Sequence, residues 1–403
     1  MSRIHNLTTA LAAALLCAAP SLHAVELQSA GSDTKLSVYG FVWGYANYFI
    51  NGVHSGDPNS AGTLFYDPLT DMSSQPDKQL QFSMAPSRFG FSSVTPSANL
   101  GDVQTKIEYD LNTGEKAKAH FRNAYIKFAG WTFGHAPSLW NDGDAGADTV
   151  DWGGPVGGAC YDTPRLPQIS YVGNIDKNNS FGFSLEQNSG NAGGAAYSTN
   201  DYKIPTIIGM YTYADSWGHV AFRAMGQNYG GYKPATTTTA KDRYNKMFGA
   251  FMLSGDFKIA KDDLVWNVYL GKAVGGYGTG MQAAYFDDAN KEITGLQNLG
   301  WMVGYTHNWT DKVRSNIVLS GVTFKSDDKV TVTDGTSGTG MKSGYYGAVN
   351  TFVQMTKTLS FGAEYVYEQA KAFGSNDPWL DIDAKATNKQ SASKIHLALK
   401  ANF

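Results

Sequence analysis

Five aspartates, Asp142, Asp144, Asp148, Asp151 and Asp162, are gathered in the stretch Ser138–Pro167, whose one basic residue is Arg165. Carboxylates at this density can hold a cation or charge a surface that solutes pass. A calcium loop needs oxygen ligands at regular spacing and a late bidentate Glu. Asp142, Asp144 and Asp148 fit three of its positions, but the twelfth residue from Asp142 is Gly153. A solvated, disordered loop is the other plain reading, although Trp140, Val150, Trp152 and Tyr161 are more apolar than disorder tolerates. Glycines at 143, 146, 153, 154, 157 and 158 allow tight turns in a confined space.

Signatures of enzymes are missing from the sequence. There is no G-x-S-x-G, no H-E-x-x-H, no paired Cys and no phosphate loop ending in Gly-Lys-Ser/Thr. The cluster GGYGTG beginning at Gly275 reads as a surface loop, and no basic, aromatic-rich segment suits nucleic acid. No catalytic residue, metal or cofactor is therefore expected.

Strands must position the aspartates. In DVQTKIEYDLN, Val103, Thr105, Ile107 and Tyr109 share one face, and Gln104, Lys106, Glu108 and Asp110 the other. LSFGAEYVYE alternates likewise, placing Glu364 and Glu368 opposite Phe361 and Tyr365. About sixteen such segments follow one another, beginning near residues 35, 79, 102, 118, 131, 167, 180, 203, 218, 243, 263, 298, 312, 341, 358 and 390. Short turns such as ADSWG and NWTDK alternate with long polar loops, and the aspartate stretch is the third of the long ones. An even strand number with this asymmetry predicts an all-β, transmembrane, antiparallel barrel of 16 strands with long extracellular loops. A soluble β-sandwich would alternate too, but no linker or charge block divides the chain as its length would require.

The ends agree with an exported chain. Arg3, the apolar run Leu7–Ala19 and SLHA before Val25 predict a signal peptide over 1–24 and one barrel over 25–403, with a loop at 137–167. Only Cys160 lies beyond the leader, so no intrachain disulfide is expected there. The composition, 45 Gly with 23 Tyr, 21 Phe and 9 Trp, fits many short strands. In the last of them Ile395, Leu397, Leu399 and Phe403 form one face against His396, Lys400 and Asn402.

That terminal aromatic, preceded by apolar residues at alternate positions, resembles the assembly signal of Gram-negative outer-membrane proteins. SRFGFSSVTPSANLGDVQTKIEYDLN followed by AHFRNAYIKFAGWTFGHAPSLWND resembles the Gram-negative porin superfamily, especially the DcaP-like trimeric porins. The resemblance is specific over Ser87 to Gly173 and at the C-terminus. It implies a homotrimer in the outer membrane, in contact with lipid and lipopolysaccharide and inserted by the barrel assembly machinery. It also implies passive diffusion of small hydrophilic solutes, leaning toward small organic anions, past a third loop folded inward.

An acidic loop needs an opposing wall to act as a filter. Lys106 points inward by alternation, and Arg88 and Arg122 are placed inward because an outward Arg at mid-membrane costs about 2–4 kcal/mol. Porins resembling this chain set such cations against the loop, which predicts a transverse field; pairing of each cation with a neighbouring carboxylate is the competing reading. Arg314, Arg223, Lys246, Glu364, Glu368 and Lys400 lie where a strand's polar face lines the lumen. Where the family often has Gly followed by Arg or Gln, this chain has Gly134 and His135, which would put a titratable imidazole in the wall. In the first strand, either the aromatics at 39, 41, 43 and 45 or the alternate residues could face out. A binding or adhesion barrel with a plugged lumen is the rival reading.

Overall fold

The computed structural model describes residues 25–28, 31–51, 78–111, 119–156, 164–188, 192–193, 203–233, 242–277, 284–287, 292–325, 330–331, 341–372, 380–381 and 389–403. The expected leader, Asp162 and Tyr161 lie outside these residues.

Sixteen strands form the barrel wall. β1 is Lys35–Asn51, and β2 runs as Gln79–Ser83 and Arg88–Ser97 with a turn between. β3 is Gly101–Asp110, β4 His120–Phe128, β5 Trp131–Pro137, β6 Arg165–Asn174 and β7 Asn179–Glu186. β8 is Thr206–Asp215, β9 Gly218–Lys233, β10 Asp242–Ile259 and β11 Asp262–Lys272. β12 is Gln297–Thr310, β13 Val313–Lys325, β14 Met341–Gln354, β15 Leu359–Ala372 and β16 Gln390–Asn402. Each pairs antiparallel with the next, and β16 returns to β1, placing Trp43 opposite Lys400 and Asn47 opposite His396. Closure leaves no long edge for another chain to join.

The burial pattern is that of a soluble protein turned inside out. Phe251, Leu270, Val349 and Ile317 are exposed, whereas Glu108, Asp110, Glu364, Glu368 and Lys394 are buried. Large apolar side chains normally go inside and charges outside. The inversion fits a wall with hydrocarbon outside and a polar interior. It also decides the first strand: Tyr45, Asn47 and Phe49 are buried inward, while Val42, Tyr48 and Ile50 are exposed. The aromatics Tyr39, Phe41 and Trp43 therefore share the inner face.

Closure is finished at the terminal residue. Phe403 donates its N–H to the Gly40 carbonyl at 3.0 Å and accepts from the Gly40 N–H at 3.0 Å. Its ring occupies the place a side chain at Gly40 would take, since a Cβ there would fall 2.6 Å from the Phe403 Cζ. Ile395, Leu397, Leu399 and Phe403 are all exposed, sharing the outer face.

Candidate functional site

The loop after β5 lies against the inner wall and is fastened there at two ends. At its start, the Leu139 N–H donates to Glu186 Oε1 at 2.9 Å, and Arg223 Nε donates to the Leu139 carbonyl at 3.0 Å. Trp140 is fully buried, edge-on to Tyr269. Asp142 then meets Arg223 Nη1 at 3.0 Å, His219 Nε2 at 3.0 Å and the Ser254 hydroxyl. His219 in turn bonds Asp256 through its other nitrogen. One 3-10 turn, Gly143–Ala145, carries the chain onward.

The second fastening involves β12 to β16. A Cβ at Gly304 would stand 2.9 Å from the Ala147 Cβ, and one at Gly362 2.8 Å from Val150 Cγ2, so glycine in the wall lets the loop approach. Asp148 pairs with Arg314 Nε at 2.5 Å, and the Asn350 amide donates to the Asp148 carbonyl at 2.9 Å. Glu364 accepts the Val150 and Asp151 N–H groups at 3.0 and 2.6 Å, one on each oxygen. The Asp151 carboxylate is buried 3.1 Å from Lys394 Nζ, which also pairs with Glu368 at 3.2 Å. Val150 packs with Tyr45 and Ala398, and Trp43, Trp152 and Phe352 close over them.

Electrostatics separate the aspartates by role. Burial pushes the Asp142 carboxyl up, but Arg223 and the His219 hydrogen bond outweigh it and hold the group well below the usual range. Asp151 follows the same pattern, its burial outweighed by Lys394. Both are ionised anchors whose charges are consumed by the wall. Asp144 differs: its side chain is exposed to the lumen yet enclosed by the barrel, and that partial desolvation together with Asp142 raises its pKa. Asp144 carries the one loop carboxylate, among the described residues, that is open to solutes and lacks an ion pair. Asp144→Asn is expected to shift reversal potential toward anions while leaving open-channel noise unchanged; a noisier channel would mark Asp144 as a further anchor.

The basic wall is only partly as expected. Arg88 and Lys106 are on the inner face, but both pair with Glu108, each at 3.2 Å, and Arg122 pairs with Asp110. These three cations thus share two carboxylates along the wall, which leaves the cluster one net positive charge. Arg122 reaches inside through a bulge: Glu108 pairs with Asn123 but Tyr109 with Phe121, so Arg122 and Asn123 both turn inward. Arg314 also points inward, although its partner Asp148 belongs to the loop.

His135 does not line the lumen. It pairs with Ala124, which in turn pairs with the exposed Ile107, so all three share the outer face. Its ring lies 5.1 Å from that of Phe121, another outward residue. Strict alternation along Trp131, Phe133 and His135 forces this, and the imidazole expected in the wall is replaced there by Gly134 and Ala136. Arg165 is likewise displaced: two residues from Pro167 and opposite Pro137, it shares the face of His135. It is therefore not on the lumen face of the wall.

His219, Ser254, Asn350 and Lys394 are wall residues that sequence reasoning did not single out. A signal existed for Lys394, because a lysine at an inward position of a membrane-spanning strand needs a buried carboxylate nearby.

A family model described as DcaP outer membrane protein matches residues 6–383. Among solved structures, the outer membrane channel DcaP of Acinetobacter baumannii aligns with TM-score 0.75 at 20% identity, covering 94% of this chain and 99% of that one. The trimer form of Vibrio cholerae OmpT aligns at 0.55 and 14% identity, covering 92% and 100%. An anion-selective porin from Comamonas acidovorans aligns at 0.56 and 10%, also covering 92% and 100%. These structures share the barrel fold. No curated protein matches the chain by sequence.

Proposed function

We propose, from the fact that this chain belongs to the DcaP outer membrane protein family, that its lumen passes small hydrophilic solutes by diffusion across the outer membrane of a Gram-negative bacterium. The barrel is of porin fold and its interior is polar. The observation that carries the reading is the loop's attachment: Asp142, Asp148, Val150 and Asp151 are all bonded to the wall, so the loop narrows the lumen along one side. Residues 137–167 act as a constriction, with Asp144 the loop charge that solutes meet.

Assembly as a homotrimer is supported by the trimer form of the OmpT relative. A leader over 1–24 and insertion through the assembly machinery, with the face Ile395, Leu397, Leu399 and Phe403 as its signal, complete the proposal. A preference for small organic anions finds support in the one net positive charge left where Arg88, Lys106 and Arg122 meet Glu108 and Asp110, in Lys400 on the same inner face, and in the anion selectivity named for the Comamonas porin. Purified protein in a planar bilayer is expected to give discrete, stable conductance steps. Their absence, with the barrel verified by circular dichroism, would favour the adhesion barrel.

A further inference from the structure

The inner face of the barrel is not uniformly polar. Along β8 to β15 it carries Ile208, Met252, Met302, Val318, Val322 and Val366, none more than 1% exposed. Along β1 to β3 it carries Ser37, Tyr39, Ser92, Gln104 and Lys106, all partly exposed. Apolar side chains turned toward a water-filled lumen would forfeit about 25 cal/mol for every Å² left wet. The first sector is therefore covered and the second is open. The third loop supplies part of the cover, since its Leu139, Trp140, Ala145, Ala147 and Val156 join the apolar clusters on that side.

The segment joining β11 to β12 supplies more of it. Its glycine cluster, read from the sequence as a surface loop, begins buried: Gly275–Tyr277 is a single 3-10 turn, with Val274 fully buried before it and Tyr277 1% exposed. The Tyr229 hydroxyl donates to the Ala273 carbonyl at 2.6 Å, and the Ala273 N–H donates to the Leu296 carbonyl at 2.9 Å, tying both ends of the segment to the wall. Between them Ala284–Asp287 and Glu292–Gly295 pair antiparallel, and Ala284, Tyr285 and Ile293 are buried. Ala192–Gly193, after β7, adds to this hairpin in parallel. Tyr277 belongs to one apolar cluster with Leu139 and Trp140 of the third loop, and Tyr285 to another with Ala145, Ala147 and Val156. The Tyr277 hydroxyl also faces Glu186, the carboxylate that accepts the Leu139 N–H.

We propose that the segment joining β11 to β12 is a second constricting element, seated beside the third loop through Tyr277 and Tyr285, and that the two loops together confine solutes to a passage along β1 to β4. The apolar inner face of β8 to β15 is the floor on which they pack, not a surface that solutes meet. This deepens the loop-narrowed lumen proposed above and rests on it for the movement of solutes. Where water reaches the wall is a separate property, measurable in a barrel that conducts nothing. Tyr277 and Tyr285 act as positioning residues, because they touch the loops and not the solute.

Cysteine labelling of the folded protein with sulfonatoethyl methanethiosulfonate, read as a mass shift, tests the proposal; the unsubstituted chain sets the baseline for its own cysteines. Ser92→Cys, on the open sector, is expected to label at least about tenfold faster than Val322→Cys, on the covered one, because a closed site reacts only through local opening. Tyr285→Asp puts a charge into an apolar cluster and should drive the hairpin out. Val322→Cys should then lose its protection and single-channel conductance should rise, while the unfolding midpoint of the barrel wall stays in place. Tyr285→Ala, a milder change, should do the same in part and serves if the aspartate variant does not fold. Labelling of Val322→Cys as fast as Ser92→Cys in the otherwise unsubstituted chain overturns the proposal. So does unaltered protection and conductance in folded Tyr285 variants. Missing conductance steps, with the two cysteines labelling as expected, would overturn the diffusion of solutes and uphold the placement of the second loop.

Discussion

Lys394→Met is expected to destabilise the barrel by about 3–5 kcal/mol, the usual consequence of stripping one partner from a buried ion pair. Two carboxylates depend on that ammonium, Asp151 of the loop and Glu368 of β15, and all three groups are buried. Methionine fills the space but offers neither a charge nor a donor. The same change should free the distal part of the loop, because Asp151 is its deepest attachment. Denaturant titration of folded protein on an unheated gel measures the first effect. Larger and noisier single-channel conductance reports the second. Adding Asp151→Asn to Lys394→Met removes one stranded charge and is expected to recover part of the stability but none of the quiet conductance. A variant with wild-type midpoint and quiet steps would show that the pair contributes nothing to docking.

Arg223→Met is the counterpart at the loop's other end, with a similar expected cost of about 3–5 kcal/mol. Arg223 holds the Asp142 carboxylate, the Leu139 carbonyl and the Ser254 hydroxyl together, and both charged side chains are 5% exposed. Its loss should loosen Ser138–Gly146 while leaving Asp148 and Asp151 attached. Hydrogen exchange of the loop amides separates the two variants: protection is lost before Gly146 in one and after Ala147 in the other. Because the two anchors share no partner, the stability losses should add within about 0.5 kcal/mol in the double variant. A strongly non-additive result would mean that the loop docks as one unit.

Much of the fold was legible because a strand's period is two and a barrel's two sides differ so sharply in polarity. That alternation places Lys106 and Glu108 inward, Ile395 and Leu397 outward, and the aspartate stretch as the third long loop. It also contained the correction for His135, since Trp131, Phe133 and His135 share a parity; the expectation followed the resemblance instead of the alternation. Arg122 was harder, because only a bulge, invisible in composition, brings it inside beside Asn123. The loop's partners were hidden for a different reason. Asp148 and Arg314 are 166 residues apart, and Val150 and Glu364 are 214 apart. No local pattern reports contacts of that span. Counting aspartates therefore suggested a charged filter, whereas three of the five are fastenings.

The attachment of Asp151 to Lys394 also carries information about time. Lys394 lies on β16, which follows the other barrel strands in chain order, and β16 must pair with β1 before its inner face exists. The Asp142 attachment needs only β9 and β10, so the first part of the loop can seat while the barrel is still open. Its remainder must wait for the seam to shut. Full seating of the loop thus follows closure of the barrel, and a barrel that failed to close would leave the distal part of the loop without its deepest attachment.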